Sequence, residues 1–332
     1  MTRHRCWRRE RILSETAPTD THMERPDALK QIRMYKEVIE MRLLFILIVV
    51  LWTGPAFADL KFIETRAGDY YTYQPKSGTQ RILVIAHGTR AESERATTTA
   101  RRYLDRWIEF AEKHQMKLIV PVFDDARFGN RKGGYGGYRG LFGKVKSADT
   151  FVLELLEEAK SHPQLNDAPA YLYGHSAGGQ FAVRFGVKHP SVFYHTVLSA
   201  PGRYSFPDLE IPWPYGAGKM TRRTTWSGSD TQTEISGGAP LINYSNLIGR
   251  VSVVVGALDL DPQPKRPGHL PGTRIDTAHA WATAMSKADQ LQRRGPQRII
   301  IDVIPEVGHN SRALTPHAMK VLNYWIETVG LR

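Results

Sequence analysis

From residue 60 onward, short apolar runs alternate with longer stretches in which apolar residues return every three or four positions. The short runs predict strands over Arg81–Ala86, Lys117–Val122, Ala170–Tyr173, Phe193–Leu198, Val251–Val255 and Arg298–Ile304. Leu60–Ile63 and Tyr70–Tyr73 read as an opening antiparallel pair. The longer stretches predict helices. Ala96, Ala100, Tyr103, Leu104, Trp107, Ile108 and Ala111 fall on one face of a single helix, and Ala318, Val321, Leu322, Trp325, Ile326 and Val329 on one face of a closing helix. Thr150–Ala159 and Gly178–Val187 supply two more. This rhythm predicts an α/β chain with a mostly parallel central sheet flanked by helices. Two stretches interrupt it: residues 128–143 interleave glycine with aromatic and basic side chains, and residues 201–249 are rich in Pro, Gly, Ser and Thr without a clear period. Both predict loops, the second a loop-rich cap insertion over the carboxyl edge of the sheet.

The N-terminal region follows another pattern. Met41-Arg42 precedes the apolar run Leu43–Trp52 and the small residues Ala56 and Ala58. A basic start, a short apolar stretch and small residues at the cleavage position predict a signal peptide over Met41–Ala58, cut before Asp59, and so a secreted or periplasmic protein. The run is short of the roughly 20 apolar residues that span a bilayer, so no membrane span is expected in the mature chain. Residues 1–40 carry the basic cluster Arg3, Arg5, Arg8, Arg9 and Arg11. They read as an upstream extension, with translation starting at Met41 or Met34, or as a disordered basic tail. The domain itself is expected over residues 59–332.

Composition adds little to the fold and something to the chemistry. The 332 residues are 41% hydrophobic and 23% charged, ordinary for a globular chain. The only cysteine is Cys6, so the predicted mature chain has no disulfide and depends on its core. The net charge is +12, and residues 1–58 hold ten basic and seven acidic side chains, which leaves +9 on the rest. Such a balance favours anionic surfaces or substrates.

The candidate chemistry starts at Gly174-His175-Ser176-Ala177-Gly178, between a predicted strand and a predicted helix. A serine on so sharp a strand-to-helix turn needs small neighbours, and its hydroxyl stands exposed above the sheet, as a nucleophile requires. Serine needs a base, and the base a carboxylate to orient it. In the fold that such an elbow marks, the chain order is nucleophile, acid, base, which excludes Asp124 and Asp125. The strand Val251–Val255 leads into Asp259 and Asp261. Asp259, directly at the strand's end, is the favoured acid and Asp261 the alternative. The last strand runs into Gly308-His309, ahead of the closing helix, and His309 is the expected base. His87 and His175 sit inside motifs that use them structurally, and His269, His279 and His317 lack a strand-end setting. The oxyanion needs two backbone N–H donors, expected from Ala177 and from Thr89 after His87-Gly88.

The His87-Gly88 turn, the Gly174–Gly178 elbow, the Asp259 step and the Gly308-His309 loop together resemble the α/β-hydrolase superfamily over residues 81–328. The flavour is similar to bacterial secreted esterases and polyhydroxyalkanoate-depolymerase-like serine hydrolases. The resemblance implies the α/β-hydrolase fold and acyl transfer through a covalent seryl intermediate, with no metal or organic cofactor. The expected activity is cleavage of carboxylic esters, on small-molecule, polymeric or anionic substrates; peptidase, amidase or acyltransferase action would use the same residues. A different class, a polyanion- or nucleic-acid-binding protein, would use Arg127, Arg131, Lys132, Tyr135, Tyr138 and Arg139 as a basic, aromatic patch. Nucleic acid is the weaker expectation, because such a patch requires no ordered serine, acid and histidine.

Overall fold

The computed structural model describes residues 59–129, 137–226, 229–235, 238–262, 272–291 and 298–328. The signal-peptide reading over Met41–Ala58 and the upstream residues 1–40 lie outside the described residues. Strands β1 (Asp59–Ile63), β2 (Asp69–Gln74), β3 (Arg81–Ala86), β4 (Met116–Val122), β5 (Ala170–His175), β6 (His195–Ser199), β9 (Val251–Gly256) and β10 (Ile300–Ile304) form one sheet. Its order is β1-β2-β4-β3-β5-β6-β9-β10. β2 runs antiparallel to both β1 and β4, and the strands from β4 through β10 are parallel neighbours. The predicted mostly parallel sheet and its opening antiparallel pair are both present.

Strand alternation sends side chains into two cores. Ile82, Val84 and Ala86 face one cluster, with α4 (Ala148–Lys160), α5 (Ala177–Lys188), α6 (Leu241–Ile248) and α7 (Arg274–Leu291). Leu83 and Ile85 face the other, with α1 (Ala96–Asp105), α2 (Ile108–His114) and α8 (Ser311–Thr328). Covered on both faces, β3 is apolar at every position after Arg81.

The single helix expected over Ala96–Ala111 is two. The chain leaves α1 at Arg106, where Trp107 N–H bonds Leu104 O at 2.9 Å, and α2 begins at Ile108. Trp107 sits at the break, its ring fully buried against Tyr173 (4.8 Å between centroids) and edge-on to Phe110 (5.4 Å). Truncating so large a buried aromatic typically costs about 3–5 kcal/mol, more than one tightened turn.

The cap is more ordered than its composition suggests. Residues 201–249 contain an antiparallel hairpin, β7 (Met220–Trp226) with β8 (Ser229–Ile235), followed by α6. Trp213 is 1% exposed and donates from Nε1 to Gly140 O at 3.3 Å. Arg184 of α5 is buried and donates to Pro214 O (2.9 Å) and Arg139 O (2.5 Å), so the cap and the 137–143 loop are clasped onto the sheet's helix layer. The short helix α3 (Asp125–Phe128) precedes that loop, which opens with a 3-10 turn at Gly137–Gly140. No helix among the described residues is long and apolar enough to cross a membrane.

Candidate active site

The sheet's parallel strands deliver their loops to one edge, where β5 meets α5. Ser176 sits between them with φ 53° and ψ −109°, a conformation that costs an L residue about 1–3 kcal/mol. Close packing enforces it. A Cβ on Gly174 would lie 2.2 Å from Gly178 O, and one on Gly178 would lie 2.0 Å from Ala86 O. Ser176 N–H bonds Ser199 O at 2.8 Å and Gln180 N–H bonds Ser176 O at 3.0 Å, so the turn is tied both to β6 and to the first turn of α5.

His309 arrives from the loop after β10. Ala257 N–H to Ile304 O and Leu258 N–H to Val307 O, each 2.8 Å, lock that loop to the turn following β9. Asn310 Oδ1 accepts from Arg312 N–H (2.9 Å) and Ala313 N–H (3.2 Å), capping α8 immediately after the histidine. His309 Nε2 is 2.9 Å from Ser176 Oγ, and Nδ1 is 2.7 Å from Asp259 Oδ2. An ionised Asp259 only accepts, so Nδ1 carries the proton and Nε2 is left to accept from the serine hydroxyl. Burial alone would push the Asp259 carboxyl up. Hydrogen bonding from His309, the His309 and Arg274 charges and the Arg274 hydrogen bond outweigh it and hold the carboxyl below its usual range.

The structure thus brings Ser176, His309 and Asp259 into one hydrogen-bonded row. Asp261 is exposed two residues beyond. Ala177 is the first residue of α5, and Thr89 is exposed in the loop after β3. Arg90, next to Thr89, pairs with Asp125 and donates to Glu94 O at 3.0 Å, anchoring that loop. His87 accepts Phe123 N–H on Nε2 at 3.0 Å, and burial lowers it to about 4, which keeps it neutral. His175 bonds Ser199 Oγ through Nδ1 at 2.9 Å, with its ring centre 5.1 Å from that of His309. Burial, then the His309 charge, pushes His175 well below its ordinary value.

The site contains a residue that pattern reading missed. Arg274, at the start of α7, donates from Nη1 to Asp259 Oδ1. A local signal for the helix exists: Thr273 and Asp276 exchange hydrogen bonds (2.8 Å and 3.3 Å), the reciprocal cap of a helix start.

Two side chains of the basic, aromatic patch, Arg127 and Tyr138, are engaged within the fold. Arg127 pairs with Asp69 and with Asp124, the latter at 2.7 Å. Tyr138 stacks on Phe123 (4.3 Å, 9°) and donates to His87 O at 3.2 Å. Arg139 accepts from Arg184 through its carbonyl, while Arg131, Lys132 and Tyr135 lie outside the described residues. Among the described residues, no group of three or more His, Cys, Asp or Glu side chains could hold a metal ion.

The strand order, the elbow and the covered parallel sheet define an α/β-hydrolase fold. The family model of serine aminopeptidase S33 matches residues 126–229, which span the elbow. The match covers about a third of the chain, and with the fold it makes the chain similar to the α/β-hydrolase enzymes. Among solved structures, poly(3-hydroxybutyrate) depolymerase LpqC from Bordetella parapertussis is similar at 21% identity and a TM-score of 0.63, over 80% of this chain and 90% of that one. Poly(aspartic acid) hydrolase-1 from Sphingomonas sp. KT-1 is similar at 20% identity and a TM-score of 0.62, over 81% of this chain and 99% of that one. At such identities these likenesses speak for the fold. No curated protein sequence matches the chain.

Proposed function

We propose that the chain is an exported serine hydrolase that cleaves carboxylic esters through a seryl acyl-enzyme. The observation that carries this reading is the row Ser176 Oγ–His309 Nε2 at 2.9 Å and His309 Nδ1–Asp259 Oδ2 at 2.7 Å, on a strained elbow. In the first half-reaction His309 takes the hydroxyl proton as Ser176 Oγ attacks the carbonyl carbon. The oxyanion accepts from the backbone N–H groups of Ala177 and Thr89, a donor of this kind being worth about 10²–10³ in rate. The imidazolium, balanced by Asp259, then protonates the departing alkoxide. Water attacks the acyl carbon in the second half-reaction; His309 accepts its proton and returns one to Ser176 Oγ.

Polymeric or anionic esters suit the reading best. The charge of +9 beyond residue 58 favours anionic partners, and the two similar structures bear the names of polymer hydrolases. Residues 201–249 would shape the acyl or alcohol pocket, and Met41–Ala58 would direct export. Amide cleavage is the second reading, favoured by the aminopeptidase description of the matching family and by the poly(aspartic acid) hydrolase likeness.

The test is covalent labelling with a fluorophosphonate probe. The wild type should label, and folded Ser176→Ala and His309→Ala should not. Undiminished labelling of Ser176→Ala would refute the nucleophile. A matched panel of esters, amides and both kinds of polymer then separates the two readings, with ester turnover expected to exceed amide turnover.

A further inference from the structure

We propose that Arg274 is a positioning residue for the acid of this site: its guanidinium clamps the Asp259 carboxylate against His309 and offsets part of the carboxylate's charge. The proposal rests on the serine-hydrolase reading above. Asp259 is 2% exposed and its two oxygens are held from different elements: Oδ2 by His309 after β10, Oδ1 by Arg274 of α7. A buried carboxylate bonded by histidine alone keeps one oxygen unsatisfied and is free to pivot about its Cβ–Cγ bond. The second donor removes that freedom.

Two further observations single out Arg274. It is the first residue of an 18-residue helix, where the backbone dipole disfavours a cation, so its place serves something other than the helix. Among the described residues its buried Nε has no partner, so its visible side-chain hydrogen bond is the one to Asp259. The guanidinium is carried by a firmly seated element, since Ala278, Trp281 and Met285 of α7 are fully buried and Trp281 Nε1 donates to Ser205 O at 2.8 Å.

The electrostatic consequence follows from sign. A carboxylate beside a histidine stabilises the imidazolium and so withholds the base at low pH. A cation on the far oxygen offsets part of that attraction. The groups near the pair are His175 from β5, its ring centre 5.1 Å from that of His309 and kept neutral by burial, and Tyr204 from the cap beside Asp259 and Arg274. Arg106 and Arg274 both push His175 down, and of these two only Arg274 bonds the Asp259 carboxylate.

The experiment compares wild type, Arg274→Met and Arg274→Lys as full chains, by the fluorophosphonate labelling rate against pH and by the downfield proton resonance of the His309–Asp259 hydrogen bond. For Arg274→Met the midpoint of the acid limb should rise by about one pH unit, the plateau rate should fall about ten- to a hundredfold, and the proton signal should broaden. Arg274→Lys, a point charge without the planar fork, should keep the midpoint and lose part of the plateau rate. A wild-type midpoint in Arg274→Met overturns the proposal, as does a uniform loss of rate with the proton signal intact. If Arg274→Met does not fold, a wild-type plateau in Arg274→Lys overturns it. Failure of the wild type to label would instead defeat the hydrolase reading, while the proton signal would still report on the clamp.

Discussion

Adding a single methyl group at Gly178 tests how the elbow is built. A Cβ there would meet Ala86 O at 2.0 Å, Ala86 C at 2.5 Å and His87 O at 2.7 Å. Ordinary contact needs roughly 3.5 Å, so something must move by about 1.5 Å. The carbonyls cannot yield easily, because β3 pairs with β4 on one side and β5 on the other, with Ala86 opposite Gly174. Either α5 lifts off or the His87-Gly88-Thr89 turn is displaced. Overpacking of this kind costs about 1–3 kcal/mol, which for a domain of this size lowers Tm by roughly 2–10 °C. The functional loss should be larger, because Ala177 rides on α5 and Thr89 on the turn, and misplacing one oxyanion donor costs about 10²–10³ in rate. Gly178→Ala should therefore label with fluorophosphonate about a hundredfold more slowly while remaining folded by circular dichroism. Gly186→Ala on the same helix is the control. There a Cβ meets only the flexible Leu247 side chain, at 2.9 Å and 3.2 Å, and labelling should stay within about threefold of wild type. Wild-type labelling and wild-type Tm in Gly178→Ala would refute the account of the elbow.

Two further outcomes follow from burial. Asp259→Asn should lower esterase kcat by about 10⁴, because an amide cannot hold His309 in the same tautomer, whereas exposed Asp261→Asn should leave kcat within about twofold; equal losses would reopen the choice of acid. Buried His87 and His195 have folded-state values of about 4 and about 3 against 6.5 when unfolded, so below 6.5 the unfolded chain binds more protons. Their share of stability is whole above pH 6.5 and is lost as pH falls toward 4 and then 3, about 3 kcal/mol at His87 alone. Urea midpoints should therefore fall steeply from pH 7 to 4.5, and less steeply in His195→Phe; parallel slopes would contradict this assignment.

What sequence patterning reveals here depends on how local the physical cause is. The strands were legible because a strand covered on both faces must be largely apolar, as β3 is after Arg81 and β5 is before Gly174-His175. Ser176 was legible because its turn needs small residues at Gly174 and Gly178 within five residues of chain, although what Gly178 packs against is Ala86 at the end of β3. The break at Trp107 was not, since the apolar spacing continues through it and the ring's partner Tyr173 lies 66 residues later. The pairing of Arg127 is equally non-local, its partner Asp69 lying 58 residues upstream.

The choice between Asp259 and Asp261 shows the boundary most clearly. Both follow β9 within one turn, and sequence position can only rank them. Burial separates them, and burial at Asp259 depends on α7, a helix whose buried residues Thr277, Ala278, Trp281, Met285 and Asp289 mix polar with apolar side chains and so leave a weak periodic signal. The same helix brings Arg274 to the carboxylate from 15 residues away. A carboxylate that is desolvated by one element, oriented by a histidine on another and clamped by an arginine on a third is a property of the assembled sheet edge. Nucleophile, acid and base can be ordered along a chain, but the charge balance that makes them work together exists only after folding.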